Sequence, residues 1–411
     1  MSIRIRKVIR RMRSSRGTLA FVLAAVATAV AGASAVGAAP KAVGPRANEF
    51  VPSAYDMKLP AWAPPMLEPR SNPTTQAKVD LGRRLFYDGR LSGDGMRPCS
   101  SCHRQDRAFS DKSPFSWGVS GQQTSRQTMP LTNVGYANSL TWIKPQVHLL
   151  EEQALGPMFG KEPVEMGLSG QEADLVYRLS IQPAYQNLFP RAFPETRGAI
   201  SLDNITKALS AFERTLVSFR SPYDRYKYEG DASAISDAAK RGEALFFGDR
   251  LKCGSCHTAP FFTDAVRPGQ PTDTPTGFHN TGLFNIDGAG AYPASNPGAI
   301  AITGKPEHKG AFKTPSLRNV AVTGPYMHDG SMLTLEAVID HYAAGGRMIR
   351  SGEPSGGDGR ANPLKSPQIT GFSITPQERA DVIAFLNSLT DTEFLTDPRL
   401  GDPWKQDPAG R

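Results

Sequence analysis

The sequence of 411 residues predicts a mostly α-helical fold in two related domains, with long ordered loops between the helices. The first observation behind this prediction is the pattern Cys-x-x-Cys-His, which occurs twice and uses all four cysteines of the chain. The second is that the surroundings of the two copies resemble each other. The third is that the regular apolar patterns have helical spacing. Two copies of one helical unit, each with one motif, account for all three.

The duplication extends well beyond the motif. The copies read GRRLFYDGRLSGDGMRPCSSCHRQDRAFSD and GEALFFGDRLKCGSCHTAPFFTD. Both open with Gly and a Leu-Phe-aromatic stretch and end in Phe-Ser/Thr-Asp, and we expect a helix that starts at each glycine. The repeat predicts one domain over 55–220 and a second over 232–395. The stretch 221–231, within RSPYDRYKYEGD, is the predicted connection.

Helices can be predicted from two further stretches. In SLDNITKALSAFERTLVS the apolar residues recur at helical spacing, at Ile205, Leu209, Phe212 and Leu216. TPQERADVIAFLNSL opens with a capping box, formed by Thr375 and Glu378 around a proline at the first helical position. By contrast, the stretches 265–312 and 349–368 are rich in Pro and Gly and predict long loops.

The first 38 residues predict an export signal. Seven Lys and Arg precede Gly17, and an uncharged run then continues to about Ala39. Small residues at 33–35 offer a cleavage site, as is typical of a secretory signal peptide. A retained membrane anchor is the alternative, because the run is just long enough to span a bilayer. We therefore expect a periplasmic protein with no membrane contact apart from this segment.

The formal net charge of +8 arises almost entirely from that segment. Seven of the 47 Lys and Arg lie there, which leaves 40 against the 39 Asp and Glu. The exported part is thus nearly neutral, and nothing in its charge indicates a nucleic-acid partner.

The repeated motif indicates covalent haem. Two cysteines on one short turn can form thioether bonds to the vinyl groups of a haem, while the following histidine binds the iron. A four-thiolate zinc site and a thioredoxin-like redox motif are the alternatives. A histidine in both copies, together with the export signal, favours two c-type haems attached at Cys99, Cys102, His103, Cys253, Cys256 and His257.

Four stretches carry a family resemblance. RLFYDGRLS…CSSCH, LEEQALGPMFGKEPVEMG, TPSLRNVAVTGPYMHDG and TLEAVIDHYAAGG together resemble the bacterial di-haem cytochrome c peroxidase and MauG family, especially its MauG-like and MbnH-like members. The resemblance runs from about Leu59 to Thr390. It implies two cytochrome c-like α domains that pack around their interface, each with one covalently bound haem c.

The first haem is expected to react with peroxide. No histidine closely follows the first motif, so its iron should be open to hydrogen peroxide on the face opposite His103. The resemblance implies that Glu165 is the catalytic glutamate, which moves a proton between the two peroxide oxygens. It also implies a hydrogen-bonding role for Gln153 and a position over the iron for Pro157. Glu162 is the alternative to Glu165.

Several residues could reach the second iron, namely His341, Tyr342, Met327 and Met332. Periodicity in TLEAVIDHYAAGG places Tyr342 on one apolar face, whereas His341 points about 100° away from that face. The resemblance implies that Tyr342 falls where peroxidases of the family carry a methionine ligand and where MauG carries tyrosine. A methionine ligand raises the reduction potential, whereas a phenolate stabilises oxidised iron.

The resemblance implies three further assignments. Trp142 matches the tryptophan between the haems, with Trp117 as a less favoured alternative. His328 is expected near the second haem, hydrogen-bonded and not bound to iron, and no role is predicted for His279. The oxygen donors of an interdomain calcium ion correspond to Gln127, Thr323 and Pro325.

With these residues, the resemblance implies a periplasmic enzyme that uses hydrogen peroxide to form a high-valent, bis-Fe(IV) state and oxidises aromatic residues, above all tryptophan, of a partner protein. A cytochrome c peroxidase that takes electrons from a small cytochrome or cupredoxin is the alternative. A third possibility is an electron carrier without catalysis, in which both haems are six-coordinate.

Overall fold

The computed structural model describes residues 52–266 and 276–405, and the predicted export signal lies outside them. The fold is mostly helical, as predicted. Its α-helices are α1 (Gln76–Phe86), α2 (Leu150–Gln153), α3 (Leu155–Phe159), α4 (Glu172–Ser180), α5 (Pro183–Ala192), α6 (Leu202–Arg214), α7 (Pro222–Tyr228), α8 (Asp237–Phe247), α9 (Ile300–Thr303), α10 (Leu335–Ala344), α11 (Pro376–Ser388) and α12 (Thr392–Thr396). Within this described part, no helix has the length and apolar character needed to cross a membrane.

Two antiparallel pairs of very short strands complete the regular structure. β1 (Phe278–His279) pairs with β2 (Phe312–Lys313), and β3 (Met348–Ile349) pairs with β4 (Gly357–Asp358). The rest of the described stretches 276–312 and 349–368 is largely irregular, as their Pro and Gly content predicts. These loops bring side chains from distant parts of the sequence to the cavities described below.

The first apolar core is built on α1, α4, α5 and α6. Leu85 and Phe86 of α1 and Phe212 of α6 are fully buried in it. The helix predicted from SLDNITKALSAFERTLVS is confirmed as α6, which ends two residues before Leu216. Its first turn is capped by Ser201, whose side chain accepts a hydrogen bond from the backbone of Asn204.

The second core repeats this design with α7, α8, α10 and α11. Phe246 of α8 and Phe385 of α11 lie at its centre, with ring centroids 5.1 Å apart. The capping box at the start of α11 is confirmed, because Thr375 and Glu378 each accept a hydrogen bond from the backbone of the other.

The expectation that a helix starts at each repeated glycine is wrong. Gly82 lies inside α1 and Gly242 inside α8, six and five residues after the respective helix starts. A Cβ atom at Gly82 would lie 1.9 Å from the carbonyl oxygen of Ala208, and one at Gly242 would lie 1.9 Å from that of Asp381. The glycines therefore mark the points where α1 crosses α6 and α8 crosses α11.

The predicted connection 221–231 contains a helix of its own. Ser221 and Asp224 form a capping box at the start of α7, with a proline between them at the first helical position. The described residues form one compact unit, and the division into domains at this connection stays a prediction.

Candidate active site

The two Cys-x-x-Cys-His motifs adopt the same local structure. Each begins with a 3₁₀ turn, Cys99–Ser101 and Cys253–Ser255, that turns the histidine back toward its own core. Nδ1 of His103 lies 2.7 Å from the carbonyl oxygen of Phe109, and Nδ1 of His257 lies 2.9 Å from that of Phe262. A carbonyl can only accept, so both Nδ1 atoms donate and both Nε2 atoms are left to bind a metal.

Burial supports the same protonation state. It lowers the pKa of both His103 and His257, so each ring is neutral at neutral pH. A neutral imidazole with its Nδ1 proton held by a backbone carbonyl is the form that binds iron through Nε2.

A first cavity of about 690 Å³ opens beside the first motif. Gln153 reaches it from α2 and Pro157 from α3, whereas Glu165 reaches it from the loop that follows α3. Of the predicted residues, the cavity brings together Cys99, Cys102, His103, Gln153, Pro157 and Glu165.

Glu165 is held in this cavity by its own backbone. Its carbonyl oxygen accepts a hydrogen bond of 2.8 Å from the backbone nitrogen of Val119, and Gly118 packs so tightly against the loop that a Cβ there would lie 1.9 Å from the oxygen of Val164. Burial raises the pKa of the Glu165 carboxyl. The alternative, Glu162, is exposed and does not line the cavity.

A second cavity, of about 1590 Å³ including its open mouth, lies beside the second motif. Of the predicted residues, it brings together Gln127, Trp142, Cys253, Cys256, His257, Thr323, Pro325, His328 and Tyr342. Its remaining wall is largely apolar and includes side chains of α8, α10 and α11.

Tyr342 faces this cavity from α10. Burial raises the pKa of its phenol, and the nearby Cys256 and Cys253 act in the same direction, so the hydroxyl is neutral in the absence of a metal ion. A bound cation reverses that preference and favours the phenolate. His341 is turned away from the cavity, and its Nε2 lies 3.0 Å from the carbonyl oxygen of Thr281. Met327 lines the cavity, whereas Met332 does not.

One segment separates the two cavities. Thr124 and Leu131 line the first cavity, while Gln127 and Pro130, between them in the sequence, line the second. Trp142 lines the second cavity and donates a hydrogen bond of 2.7 Å from Nε1 to the carbonyl oxygen of Gln127. The tryptophan thus contacts the wall between the cavities.

Trp117, the less favoured alternative, is placed differently. It lines the first cavity, but 54% of its surface is exposed to solvent. It therefore lies at the outer mouth of that cavity.

The three predicted calcium ligands all line the second cavity, and two of them are hydrogen-bonded to each other. Nε2 of Gln127 donates a hydrogen bond of 3.4 Å to the carbonyl oxygen of Thr323, and Pro325 lines the same cavity. A calcium ion needs six to eight oxygen ligands, and here an amide nitrogen faces the carbonyl that would bind it. A calcium ion at this position therefore stays a prediction.

His328 lies buried in the wall of the second cavity. Its ring stacks on Phe312, with centroids 3.6 Å apart, and its buried Nε2 has no hydrogen-bond partner among the described residues. Burial lowers its pKa to about 3, so the ring is neutral. His328 lines the second cavity, and its hydrogen-bonded role there stays a prediction.

Three polar groups at the cavities were missed by the sequence analysis. Glu213 of α6 lines the first cavity, and burial raises the pKa of its carboxyl to about 8. Lys313 lines the second. His279 lines it as well and lies 2.6 Å from Asp264, whose hydrogen bond raises the pKa of the imidazole to about 10. No sequence pattern marked these three groups. The partner of His279, Asp264, was marked by its place at the end of the repeated Phe-Ser/Thr-Asp stretch.

The arrangement fits haem better than zinc. The two cysteine pairs line different cavities, so they cannot form one four-thiolate site. In the described part of the chain, the one group of three potential ligands close enough to share an ion is Cys256 with Asp264 and His279. The second cavity is wide and apolar, and none of the described residues that line it is acidic. A large planar ring with two carboxylate substituents matches those properties.

Comparison with known proteins agrees with this assignment. The family model for di-haem cytochrome c peroxidase matches residues 76–233. The chain is 36% identical over 334 residues to the methylamine utilization protein MauG of Methylorubrum extorquens, which covers 81% of this chain and 84% of that protein. It is 33% identical over 362 residues to the cytochrome-c peroxidase IdrP1 of a Pseudomonas species, covering 84% and 90% respectively.

One solved structure is similar to most of this chain. It is the crystal structure of a MauG-like protein associated with microbial copper homeostasis, with 46% identity and a TM-score of 0.81. The match covers 85% of this chain and all of that chain. The chain therefore belongs to the di-haem cytochrome c peroxidase and MauG family of haem oxidoreductases.

Proposed function

We propose that this protein is exported to the periplasm, where it uses hydrogen peroxide to oxidise aromatic side chains, above all tryptophan, of a partner protein. Tyr342 carries the proposal, because it shares the second cavity with His257. A phenolate oxygen at the second iron favours its oxidised form, whereas a methionine sulfur favours the reduced form. A site of the first kind is suited to withdrawing electrons from a partner and not to accepting them from a carrier.

In this proposal, the first cavity binds and cleaves peroxide. A haem bound at Cys99, Cys102 and His103 would supply the two electrons that break the O–O bond. Glu165 would take a proton from one peroxide oxygen and return it to the other, which would leave as water. Gln153 would orient the peroxide by hydrogen bonding, and Pro157 would keep other side chains out of the cavity. The hydrogen bond from His103 to the carbonyl of Phe109 fixes the orientation of the proximal imidazole.

Haem c, when bound at Cys99, Cys102 and His103 and at Cys253, Cys256 and His257, supplies the redox chemistry and stores the oxidising equivalents of peroxide. We assign to Trp142 the passage of electrons between the two cavities, because its indole contacts the segment that separates them. Tyr342 then stabilises the oxidised state of the second site until the partner supplies electrons.

A second candidate function is a cytochrome c peroxidase. One observation favours it, because Met327 also lines the second cavity and could provide a sulfur ligand. Such an enzyme would take electrons from a small cytochrome or cupredoxin and would turn peroxide over rapidly.

For the partner, we propose a periplasmic protein with an accessible tryptophan. The similar solved structure belongs to a MauG-like protein associated with microbial copper homeostasis. Proteins that handle copper are accordingly the first group in which to search for the substrate of this enzyme.

The test is to add one equivalent of peroxide to the diferric protein and record near-infrared and Mössbauer spectra. We expect a long-lived oxidised species in the wild type and its loss in Tyr342→Met. Tyr326→Phe is a matched control, because Tyr326 lines the same cavity but donates its hydroxyl hydrogen to the carbonyl of Val320.

The outcomes separate the candidates. Rapid peroxide turnover with a reduced carrier, and no lasting oxidised species, would favour the cytochrome c peroxidase. No reaction with peroxide would indicate an electron carrier. The same long-lived species in Tyr342→Met as in the wild type would show that the tyrosine does not have the proposed role.

A further inference from the structure

Lys313 lies where a ligand of the second cavity would meet it. It ends β2, opposite Phe278 of β1, and its backbone nitrogen donates a hydrogen bond of 3.0 Å to the carbonyl oxygen of Trp142. Its side chain lines the second cavity on one side and a smaller cavity of about 450 Å³ on the other. The short strand pair thus fixes the lysine in the wall of the second cavity.

The ammonium group of Lys313 has no counter-ion among the described residues. No hydrogen bond or ion pair of its side chain is formed with them, and none of those that line either cavity is acidic. Burial alone lowers its pKa to about 8. Lys313 is half-buried, so its unpaired charge loses part of its hydration, and a ligand that brings an anion would relieve that penalty.

The other basic groups of the second cavity are accounted for. Lys252 is exposed, so water solvates its charge. His279 is paired with Asp264 at 2.6 Å. Lys313 is therefore the cation of this cavity best placed to pair with a carboxylate of the bound group.

We propose that Lys313 binds a propionate carboxylate of the second haem and thereby raises the reduction potential of that haem. An ammonium held against a carboxylate by a buried wall forms a charge-assisted hydrogen bond. Reduction adds one negative charge to the haem, so a fixed cation beside it stabilises the reduced form. Lys313 is thus a positioning residue that partly opposes the effect of a phenolate ligand. The inference holds for either candidate function, since both require a second haem.

The test compares Lys313→Met with Lys252→Met in the haem-loaded protein. Spectroelectrochemical titration gives the midpoint potential of each haem, and mass spectrometry gives the number of haems attached. For Lys313→Met we expect the potential of the second haem to fall by the equivalent of at least a tenfold change in the ratio of reduced to oxidised form, about 59 mV for one electron. We expect the first haem, and both haems of Lys252→Met, to keep their potentials.

Lys313→Arg separates charge from packing. A potential close to that of the wild type in this variant supports the proposal, as does loss of the second haem in Lys313→Met alone. An unchanged potential in Lys313→Met with both haems attached would overturn it. Equal shifts, or equal loss of haem, in the Met and Arg variants would also overturn it, because they would show that the shape of lysine matters and its charge does not.

Discussion

Two carboxyl groups, those of Glu165 and Glu213, line the first cavity, and burial raises the pKa of both. Burial raises the pKa of Glu213 to about 8, so this group is protonated at neutral pH and cannot accept a proton from peroxide. Burial also raises the pKa of Glu165, which lies in the loop after α3 beside Gln153 and Pro157. Of the two, Glu165 is the better candidate for the base.

Replacement of Glu165 by Gln should slow the reaction with peroxide about a hundredfold, because an amide cannot accept the proton. Stopped-flow absorbance of the diferric protein at neutral pH measures this rate. In the wild type the rate should fall as the pH drops through the raised pKa of Glu165. Glu162→Gln is the control, since Glu162 is exposed outside the cavity and its loss should leave the rate unchanged. An unchanged rate in Glu165→Gln would remove this residue from the mechanism.

Glu213 should make stability depend on pH in the direction opposite to that of a carboxylate whose pKa is lowered by folding. Its pKa is about 8 in the folded protein against an unperturbed 4.5, so the folded state holds the proton between these values while the unfolded state releases it. The free energy of unfolding should therefore fall as pH rises from about 4.5 to about 8, by up to about 1.4 kcal/mol per pH unit. Denaturant unfolding of the haem-loaded protein at pH 5 and pH 8 measures it. Glu213→Gln should reduce the difference between the two pH values, and identical differences in both proteins would exclude this effect.

At the scale of elements, the repeat in the sequence corresponds to a repeated helix crossing. α1 meets α6 at Gly82 and α8 meets α11 at Gly242. A Cβ added at Gly82 would also lie 3.0 Å from the Cβ of Phe212, and one added at Gly242 would lie 2.9 Å from that of Phe385. The glycines are retained in both copies because no side chain fits between backbones at this distance.

Substitution of Gly82 or Gly242 by Ala should destabilise the fold by about 1–3 kcal/mol or more, because the new methyl group would collide with a carbonyl oxygen of the facing helix. Urea unfolding gives the loss. Gly156→Ala is the control, since no atom outside its chain neighbours and its own helix backbone lies within 4 Å of the added Cβ. Because Pro157 follows and disfavours a preceding side chain in a helix, we expect a small loss there, less than at either crossing. Equal stability of all three variants would refute the close crossing.

Periodic elements could be predicted, but short ones could not. The helices α6 and α11 carry an apolar stripe or a capping box, and the periodicity of α10 placed Tyr342 on the face that lines the second cavity. Lys313 and His279 lie on strands of two residues, where no periodic pattern exists. Their positions depend on pairing between distant segments, which local sequence does not encode.

At the scale of the whole molecule, a buried polar network joins the two halves of the described chain. Arg318 and Asp224 are fully buried and form two hydrogen bonds of 2.8 and 2.9 Å. Arg318 also donates to the carbonyl oxygens of Ser218 and Pro260. The sequence does not predict this ion pair. Arg318 lies in TPSLRNVAVTGPYMHDG and Asp224 in RSPYDRYKYEGD, and only the complete fold brings them together.

Removal of the guanidinium in Arg318→Met should cost about 3–5 kcal/mol of unfolding free energy, because it leaves the carboxylate of Asp224 buried without its partner. Combining Asp224→Asn with Arg318→Met should recover part of the loss, because the buried position then carries no unpaired charge. The asparagine keeps a side-chain oxygen that can cap α7. Urea unfolding of the two single variants and the double variant gives the coupling free energy. Arg379→Met is the control, since its pair with Asp340 is partly exposed and should contribute less than about 1 kcal/mol. Additive effects of the two substitutions on the free energy of unfolding would show that the ion pair with Asp224 is not the source of the loss. The hydrogen bonds from Arg318 to the carbonyl oxygens of Ser218 and Pro260 would then account for it.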